Sequence, residues 1–313
     1  MSPDHQPLFS VIIIAYNMAR EVPRVVQSFL PGYQQGVEPD DIEIIVMENG
    51  SSVPIPQDIV NSWPKNVRYI NVTDPKPSPA QALNDAVALA SAPWVCPVID
   101  GARMVSSGLF KRAKELIQTH PNPVIATLGF HLGDMVQQFN IANGYNQQVE
   151  DQLLQSIDWP NEPYRLFDIS CLGQSAALAW LAPIAESNAP ILKKSFYQDL
   201  GGFDTGFDIP GGGLVNLDFF KRAIEHADSQ YVLLLDEASF HQYHGGVTTS
   251  RPVSAPSLEH EGRTTWDVYA DQYQRLRGFA YAKPQTAPLL YGELRPEVQR
   301  ILFEAVAAAQ SEG

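Results

Sequence analysis

Two short apolar runs constrain this chain most. Phe9-Ser-Val-Ile-Ile-Ile-Ala-Tyr-Asn17 is followed about thirty residues later by Ile42-Glu-Ile-Ile-Val-Met-Glu-Asn-Gly-Ser-Ser52. Each is rich in β-branched residues and stops abruptly at polar ones. A near-continuous apolar run of this length marks a strand buried on both faces, and two of them separated by a helix-sized interval read as neighbours in a parallel sheet. Ligands of such open sheets collect beyond the carboxyl ends of the strands. That places Ala15, Tyr16, Asn17, Glu48 and Asn49 at a candidate binding edge.

The alternation continues. Residues 19–30 predict a helix carrying Val22, Val25, Val26, Phe29 and Leu30 on one side and ended by Pro31 and Gly32. A short helix near 56–62, a strand at 67–72 and a helix from Pro79 to Ala90 follow. A strand from Trp94 to Ile99 then stops at Asp100, and 107–119 reads as another helix. Strand–helix alternation over a hundred residues predicts an α/β fold with a Rossmann-like, mostly parallel sheet flanked by helices. Further on, 124–130, 177–184 and 231–236 read as strands and 214–227 as a helix. The polar stretch 131–175 reads as a long loop suited to recognition, and His241-Gln-Tyr-His-Gly-Gly246 as an exposed turn. Pro252 to Pro256 reads as a linker into a helical C-terminal extension with helices at 264–277 and 296–310. The expected division is a body at 1–250, in halves of about 8–105 and 106–250, and an extension at 251–313.

Composition narrows the function. With 21 Lys and Arg against 35 Asp and Glu, the net charge of −14 argues against non-specific binding to nucleic acid or to an acidic membrane. An anionic ligand would need local cations or a metal to reverse that field. Two cysteines, Cys96 and Cys171, are too few for a disulfide framework. The first residues carry no basic, apolar leader, and no apolar run approaches the roughly 20 residues that span a bilayer, so the expectation is a cytoplasmic protein without a transmembrane segment.

The two opening strands, the first ending near Tyr16-Asn17 and the second in Glu48-Asn-Gly-Ser51, resemble the start of family 2 glycosyltransferases. A second anchor is Lys193-Lys-Ser-Phe-Tyr-Gln-Asp-Leu-Gly-Gly-Phe-Asp204, similar to that family's basic, aromatic, Gly-Gly-Phe-Asp segment on the acceptor side. The resemblance covers about residues 8–246 and implies the glycosyltransferase A fold. It also implies transfer of a sugar, with inversion, from a nucleoside diphosphate sugar to an acceptor hydroxyl on a glycan or lipid-linked molecule. In this reading Ala15, Tyr16, Asn17 and Glu48 hold the nucleoside. Asn84, in Ala82-Leu-Asn-Asp-Ala86, matches a helix residue facing the nucleotide, although Leu83 stands where the family often has Arg or Lys.

The resemblance also exposes departures. Val98-Ile-Asp-Gly-Ala-Arg-Met104 falls on the family's Asp-x-Asp motif, whose carboxylates hold a divalent ion, Mn or Mg, against the diphosphate. Asp100 matches the first acid, Ala102 replaces the second, and Arg103 offers a permanent cation suited to phosphate. A His after the last core strand is a metal ligand in several relatives, which makes His244 the expected partner of Asp100 and leaves His241 the weaker candidate. Aligning Lys221-Arg222-Ala223 with the end of the family's Glu-Asp-x-Asp-Leu motif puts Asn216 at the catalytic-base position. An amide can orient a hydroxyl but cannot deprotonate it. Asp218 lies two residues on, towards another side of the helix, while Asp208 and Glu186 are near in sequence, with nothing to choose between them. Pro210-Gly-Gly-Gly213 offers either free backbone amides for an anion or a flexible loop. Gln272-Tyr-Gln-Arg275, which is followed by Leu276, reads as helix surface.

Loss of two expected acids motivates an alternative, a non-catalytic relative that binds a nucleotide sugar or a glycan. A sugar nucleotidyltransferase would need a Gly-rich basic loop after the first strand, and Ala15-Tyr-Asn-Met-Ala-Arg20 is not one.

Overall fold

The structure, a computed structural model, describes residues 6–246, 254–257 and 261–311. In chain order its elements begin with β1 (Phe9–Ala15), α1 (Val22–Phe29), β2 (Ile42–Glu48), α2 (Gln57–Ser62), β3 (Val67–Asn71), α3 (Ala80–Leu89) and β4 (Trp94–Val98). Next come β5 (Arg103–Val105), α4 (Leu109–Thr119), β6 (Pro123–Leu132), α5 (Gln137–Asn140), α6 (Gln147–Gln155) and β7 (Ser170–Leu172). The chain closes with β8 (Leu192–Lys193), α7 (Lys194–Asp199), α8 (Val215–Glu225), β9 (Gln230–His241), α9 (Thr265–Arg277), β10 (Leu289–Tyr291) and α10 (Pro296–Ser311).

Two sheets organise these elements. The first runs β3-β2-β1-β4-β8, with β1 to β4 mutually parallel and β8 antiparallel to β4. Central β1 and its neighbour β2 are buried at every position, as their uninterrupted apolar runs demand when helices cover both faces. The second runs β10-β9-β6-β7, with β5 antiparallel on β9. Its β6–β9 pair is parallel and brings His131 level with His241, while β5 sets Arg103 opposite His241. The β4–β5 connection is only four residues long, so Asp100 is delivered between the two sheets. This is an α/β fold with a Rossmann-like, mostly parallel sheet flanked by helices.

Four local expectations differ from what the fold contains. Residues 177–184 hold no strand. Ala179–Leu181 forms a 3-10 turn with Ala179 at φ 47°, a left-handed conformation incompatible with an extended ladder. The Trp180 indole donates to Leu234 O there instead. The 131–175 stretch is not one long loop but α5, α6, a 3-10 segment at Pro163–Ile169 and β7, with Asn146 capping α6 through two backbone amides. His241 is not in an exposed turn; it is the last residue of β9 and is fully buried. In the C-terminal part, α9 has the capping box Thr264/Asp267 and the left-handed Gly278 that fix its ends. Its short successor β10, too brief to stand out in the sequence, pairs in parallel with β9. Residues 252–253 of the expected linker and the first five residues lie outside the described residues.

Candidate active site

Asp100, His241 and His244 meet where the two sheets adjoin, with one donor atom from each lying within 4.8 Å of the others. Three segments create the cluster: the turn after β4 supplies Asp100, the last position of β9 supplies His241, and the segment just beyond β9 supplies His244. His241 Nε2 stands 2.9 Å from Asp100 Oδ2 and His244 Nε2 3.5 Å from the same oxygen. The other carboxylate oxygen accepts the Ala102 amide at 2.9 Å, which fixes the plane of the group. Ala102 itself is fully buried with its side chain in the core. A carboxylate at position 102 would therefore lie in apolar packing, and the donors that complete the set come from β9 and its exit. His241, the weaker candidate in the sequence, stands beside Asp100 together with His244.

Hydrogen bonding fixes the tautomer of His241. Gln137 Nε2 donates to His241 O at 2.9 Å and to Glu150 Oε2 at 3.2 Å, so its Oε1 is the atom facing His241 Nδ1 at 2.7 Å. Nδ1 must carry the hydrogen, and the Nε2 lone pair then points at Asp100. Burial and the positive charge of Arg103 push His241 down to about 3, which keeps the ring neutral. His241 Nε2 and Asp100 Oδ2, 2.9 Å apart, are thus bridged by a shared proton or a bound cation. Asp100 is held well below the usual carboxylate range: burial alone would raise it, but the charge of His244 beside it outweighs that. His244 moves the other way. Burial would lower it, yet Asp100 raises it. A proton on His244 covers Asp100 in the absence of a metal, and one carboxylate with two imidazoles is a donor set suited to a divalent transition ion.

Arg103 borders this cluster. Its Nε lies 3.7 Å from Asp100 Oδ2 and, although buried, has no hydrogen-bond partner among the described residues. A nearly buried guanidinium with an idle donor beside a carboxylate–imidazole cluster is a ready donor to phosphate oxygens. It answers locally the problem set by the net charge of −14.

The strand-end residues behave differently from one another. Tyr16 is 56% exposed and projects from the end of β1. Asn17, at φ 54°, accepts the Ser52 and Val53 amides and clips the ends of β1 and β2 together. Ala15 is buried and its carbonyl accepts the Asn49 amide. Glu48 is buried as well, and its carboxylate accepts Ser51 Oγ, Tyr69 OH at 2.9 Å and the Ile55 amide at 3.4 Å. It shapes the turn rather than presenting two open oxygens. Asn84 is likewise committed: it accepts the Phe203 amide and the Tyr197 hydroxyl and donates to Phe203 O. Its amide clamps the Gly201-Gly202-Phe203-Asp204 turn, where Gly201 and Gly202 both have positive φ.

On the expected acceptor side, Asp218 is buried and forked between Arg222 and Arg277. A carboxylate so paired cannot approach a substrate, which removes it as a base. Asp208 is exposed and accepts from Gln272 Nε2 on α9, so Gln272 joins α9 to the body rather than lying on open surface. Asn216 donates to Glu186 Oε2 at 2.6 Å and to Asn188 Oδ1 at 3.2 Å. The three glycines at 211–213 all have positive φ, and the Gly211 amide donates to Pro77 O. They form a packed turn against the segment that leads into α3. Gln137 gave no signal in the sequence, because only the fold brings it to His241.

Residues 10–126 match the family model described as Glycosyl transferase family 2. No curated protein sequence matches the chain. Among solved structures, S. aureus TarS is similar at 15% identity and a TM-score of 0.51 over 76% of this chain, which spans only 37% of that one. The 1–349 portion of S. aureus TarS in complex with UDP-GlcNAc is similar at 15% identity and a TM-score of 0.51, with 97% of this chain and 73% of that one covered. The mannosyltransferase PcManGT from Pyrobaculum calidifontis, in complex with GDP-Man and Mn2+, has 17% identity and a TM-score of 0.49 over 99% of this chain and 77% of that one. The two TarS likenesses show a shared fold.

Proposed function

We propose, from the match of residues 10–126 to the family model of glycosyl transferase family 2, that the chain is an inverting glycosyltransferase using a nucleoside diphosphate sugar. The observation that carries this reading is the Asp100–His241–His244 cluster beside the idle Arg103. It puts a carboxylate, two imidazoles and a cation at the junction of the sheets, beyond the carboxyl end of β4, where open α/β folds bind nucleotides.

In this mechanism the nucleoside lies along the ends of β1 and β2, with Tyr16 as an exposed aromatic face for the base. Asp100, His241 and His244 would hold a divalent ion, Mn or Mg, which when bound neutralises the diphosphate and favours its departure. Gln137 keeps the His241 lone pair turned towards the ion position. Arg103 takes a phosphate oxygen and stabilises the charge that develops on the leaving group. The acceptor hydroxyl, on a glycan or lipid-linked molecule, approaches from the side of α8. UDP-GlcNAc, the ligand of the TarS 1–349 complex, is the first donor to test.

The test is calorimetric titration with UDP and GDP, with and without manganese, combined with assay of nucleotide release from the corresponding sugars. Manganese-dependent binding is expected, together with loss of nucleotide release in Asp100→Ala while the fold persists. Full activity of that variant would remove the assignment. Nucleotide binding without any turnover would favour a non-catalytic nucleotide-sugar receptor.

A further inference from the structure

We propose that Glu186 is the catalytic base of this chain and that Asn216, at the position where a carboxylate is expected, is the residue that positions it. The inference rests on the transferase reading above and concerns the same cleft.

The carboxylate missing from α8 is replaced by one in direct contact with that position. Asn216 is the second residue of α8, is 7% exposed, and gives its Nδ2 hydrogens to Glu186 Oε2 at 2.6 Å and Asn188 Oδ1 at 3.2 Å. Both amide hydrogens are thereby committed, so the side chain has one orientation. Among the described residues, Glu186 Oε1 accepts no hydrogen bond, and the residue is half-buried rather than sealed in. One oxygen is held and the other is open, which is what removing a proton from a bound hydroxyl requires.

The backbone of Glu186 is equally fixed. Ala185 N donates to Ser175 O, Ser187 Oγ bonds both the amide and the carbonyl of Thr127, and Ile191 pairs with Ile125 on β6. A base on a segment pinned at both ends keeps its aim. The charge of Glu186 also reaches Arg103 beside the donor site. It acts as well on Tyr281, whose buried hydroxyl has no partner among the described residues. Two idle donors, Arg103 Nε and Tyr281 OH, thus lie in the field of the carboxylate. Asp218 is closed off by Arg222 and Arg277, and Asp208 is tied to α9.

The step balances simply. The acceptor O–H proton passes to Glu186 as the acceptor oxygen bonds to the anomeric carbon. The bond from that carbon to the β-phosphate oxygen breaks, and its electron pair leaves on the nucleoside diphosphate. With water as the acceptor, the same base gives donor hydrolysis, which can be assayed without knowing the natural acceptor.

The experiment measures nucleoside diphosphate release from UDP-GlcNAc, UDP-glucose and GDP-mannose with manganese, by wild type, Glu186→Gln, Asn216→Asp, the double variant Glu186→Gln/Asn216→Asp, and Asp100→Ala. Calorimetric binding of UDP or GDP is measured in parallel. Glu186→Gln is expected to lower release by about 100-fold or more, the usual worth of a positioned base, with nucleotide affinity unchanged. The double variant exchanges carboxylate and amide across the same hydrogen bond and is expected to regain at least about tenfold over Glu186→Gln.

Release by Glu186→Gln close to wild type, with Asp100→Ala inactive, would overturn the base assignment and leave the transferase reading standing. Loss of nucleotide binding in step with loss of release would show a structural role and overturn it too. A double variant no better than Glu186→Gln would overturn the part given to Asn216. No release by wild type from any donor would overturn the transferase reading and this proposal together.

Discussion

At the scale of single residues, the candidate site depends on pairs of groups whose hydrogen-bonding capacity is complementary. Gln137 touches no expected ligand, yet it decides which nitrogen of His241 is bare. Residues behind a metal ligand typically change metal affinity by about 10- to 100-fold. Gln137→Leu is therefore expected to weaken manganese binding by roughly that factor in a calorimetric titration while leaving Asp100 and both imidazoles in place. Unchanged affinity would show that the His241 tautomer is fixed elsewhere. Asp100 was legible in the sequence because it ends an apolar strand. Its pairing with His241 was not, because 141 residues separate the two and the β5–β9 ladder, which sets Arg103 opposite His241, brings them together.

At the scale of elements, α9 is tied into the body of the fold rather than appended to it. Arg277, in its last turn, donates to Asp204 at 2.7 Å and to both oxygens of Asp218. It thereby links α9 to the Gly-Gly-Phe-Asp turn and to α8, while Arg222 caps that turn by donating to Leu200 O and Gly202 O. Removing one partner of a buried carboxylate leaves its charge poorly compensated. Arg277→Met is expected to cost about 3 kcal/mol, read by chemical denaturation, somewhat less to the extent that Arg222 remains on Asp218. A variant as stable as wild type would mean that Arg222 alone satisfies Asp218. Helix patterning and caps made α9 readable from the sequence, and Gly201-Gly202-Phe203-Asp204 stood out as a turn. That the two are joined by one arginine could not be read, since side-chain pairing between distant elements leaves no periodic trace.

At the scale of the whole molecule, β9 ties the parts together. Its Asp236 receives Arg112 of α4 at 2.6 Å, and its Glu237 accepts the Gly108 amide and the Tyr164 hydroxyl. Arg295, leading into α10, lies over the Tyr164 ring at 3.6 Å. Burial, with the charge of Asp236 adding to it, pushes Glu237 up to about 7. The folded protein thus keeps a proton that the unfolded chain releases at ordinary carboxylate pH. The associated stability is fully present below that range and is lost as the pH rises towards 7 and past it. The displacement is equivalent to roughly 3 kcal/mol. Glu237→Gln does not titrate, so its unfolding free energy is expected to fall less than that of wild type between pH 5 and pH 8, by up to about that amount. Parallel pH profiles for the two proteins would show that Glu237 ionises at its ordinary pH.

The sequence by itself determined the α/β class, the parallel strands with Tyr16, Asn17, Glu48 and Asp100 at their ends, and the Gly-Gly-Phe-Asp turn. Strand and helix periodicity, abrupt polar stops and glycine turns are local and are written in adjacent residues. Only the tertiary structure decided that His241 is a buried strand residue facing Asp100, that Glu48 and Asn84 are committed to neighbouring protein groups, and that Glu186 meets Asn216. Those outcomes depend on strand register and on side chains meeting across 21 to 141 residues. Burial then fixes the protonation and pairing of each group, and burial is a property of the assembled core rather than of any segment.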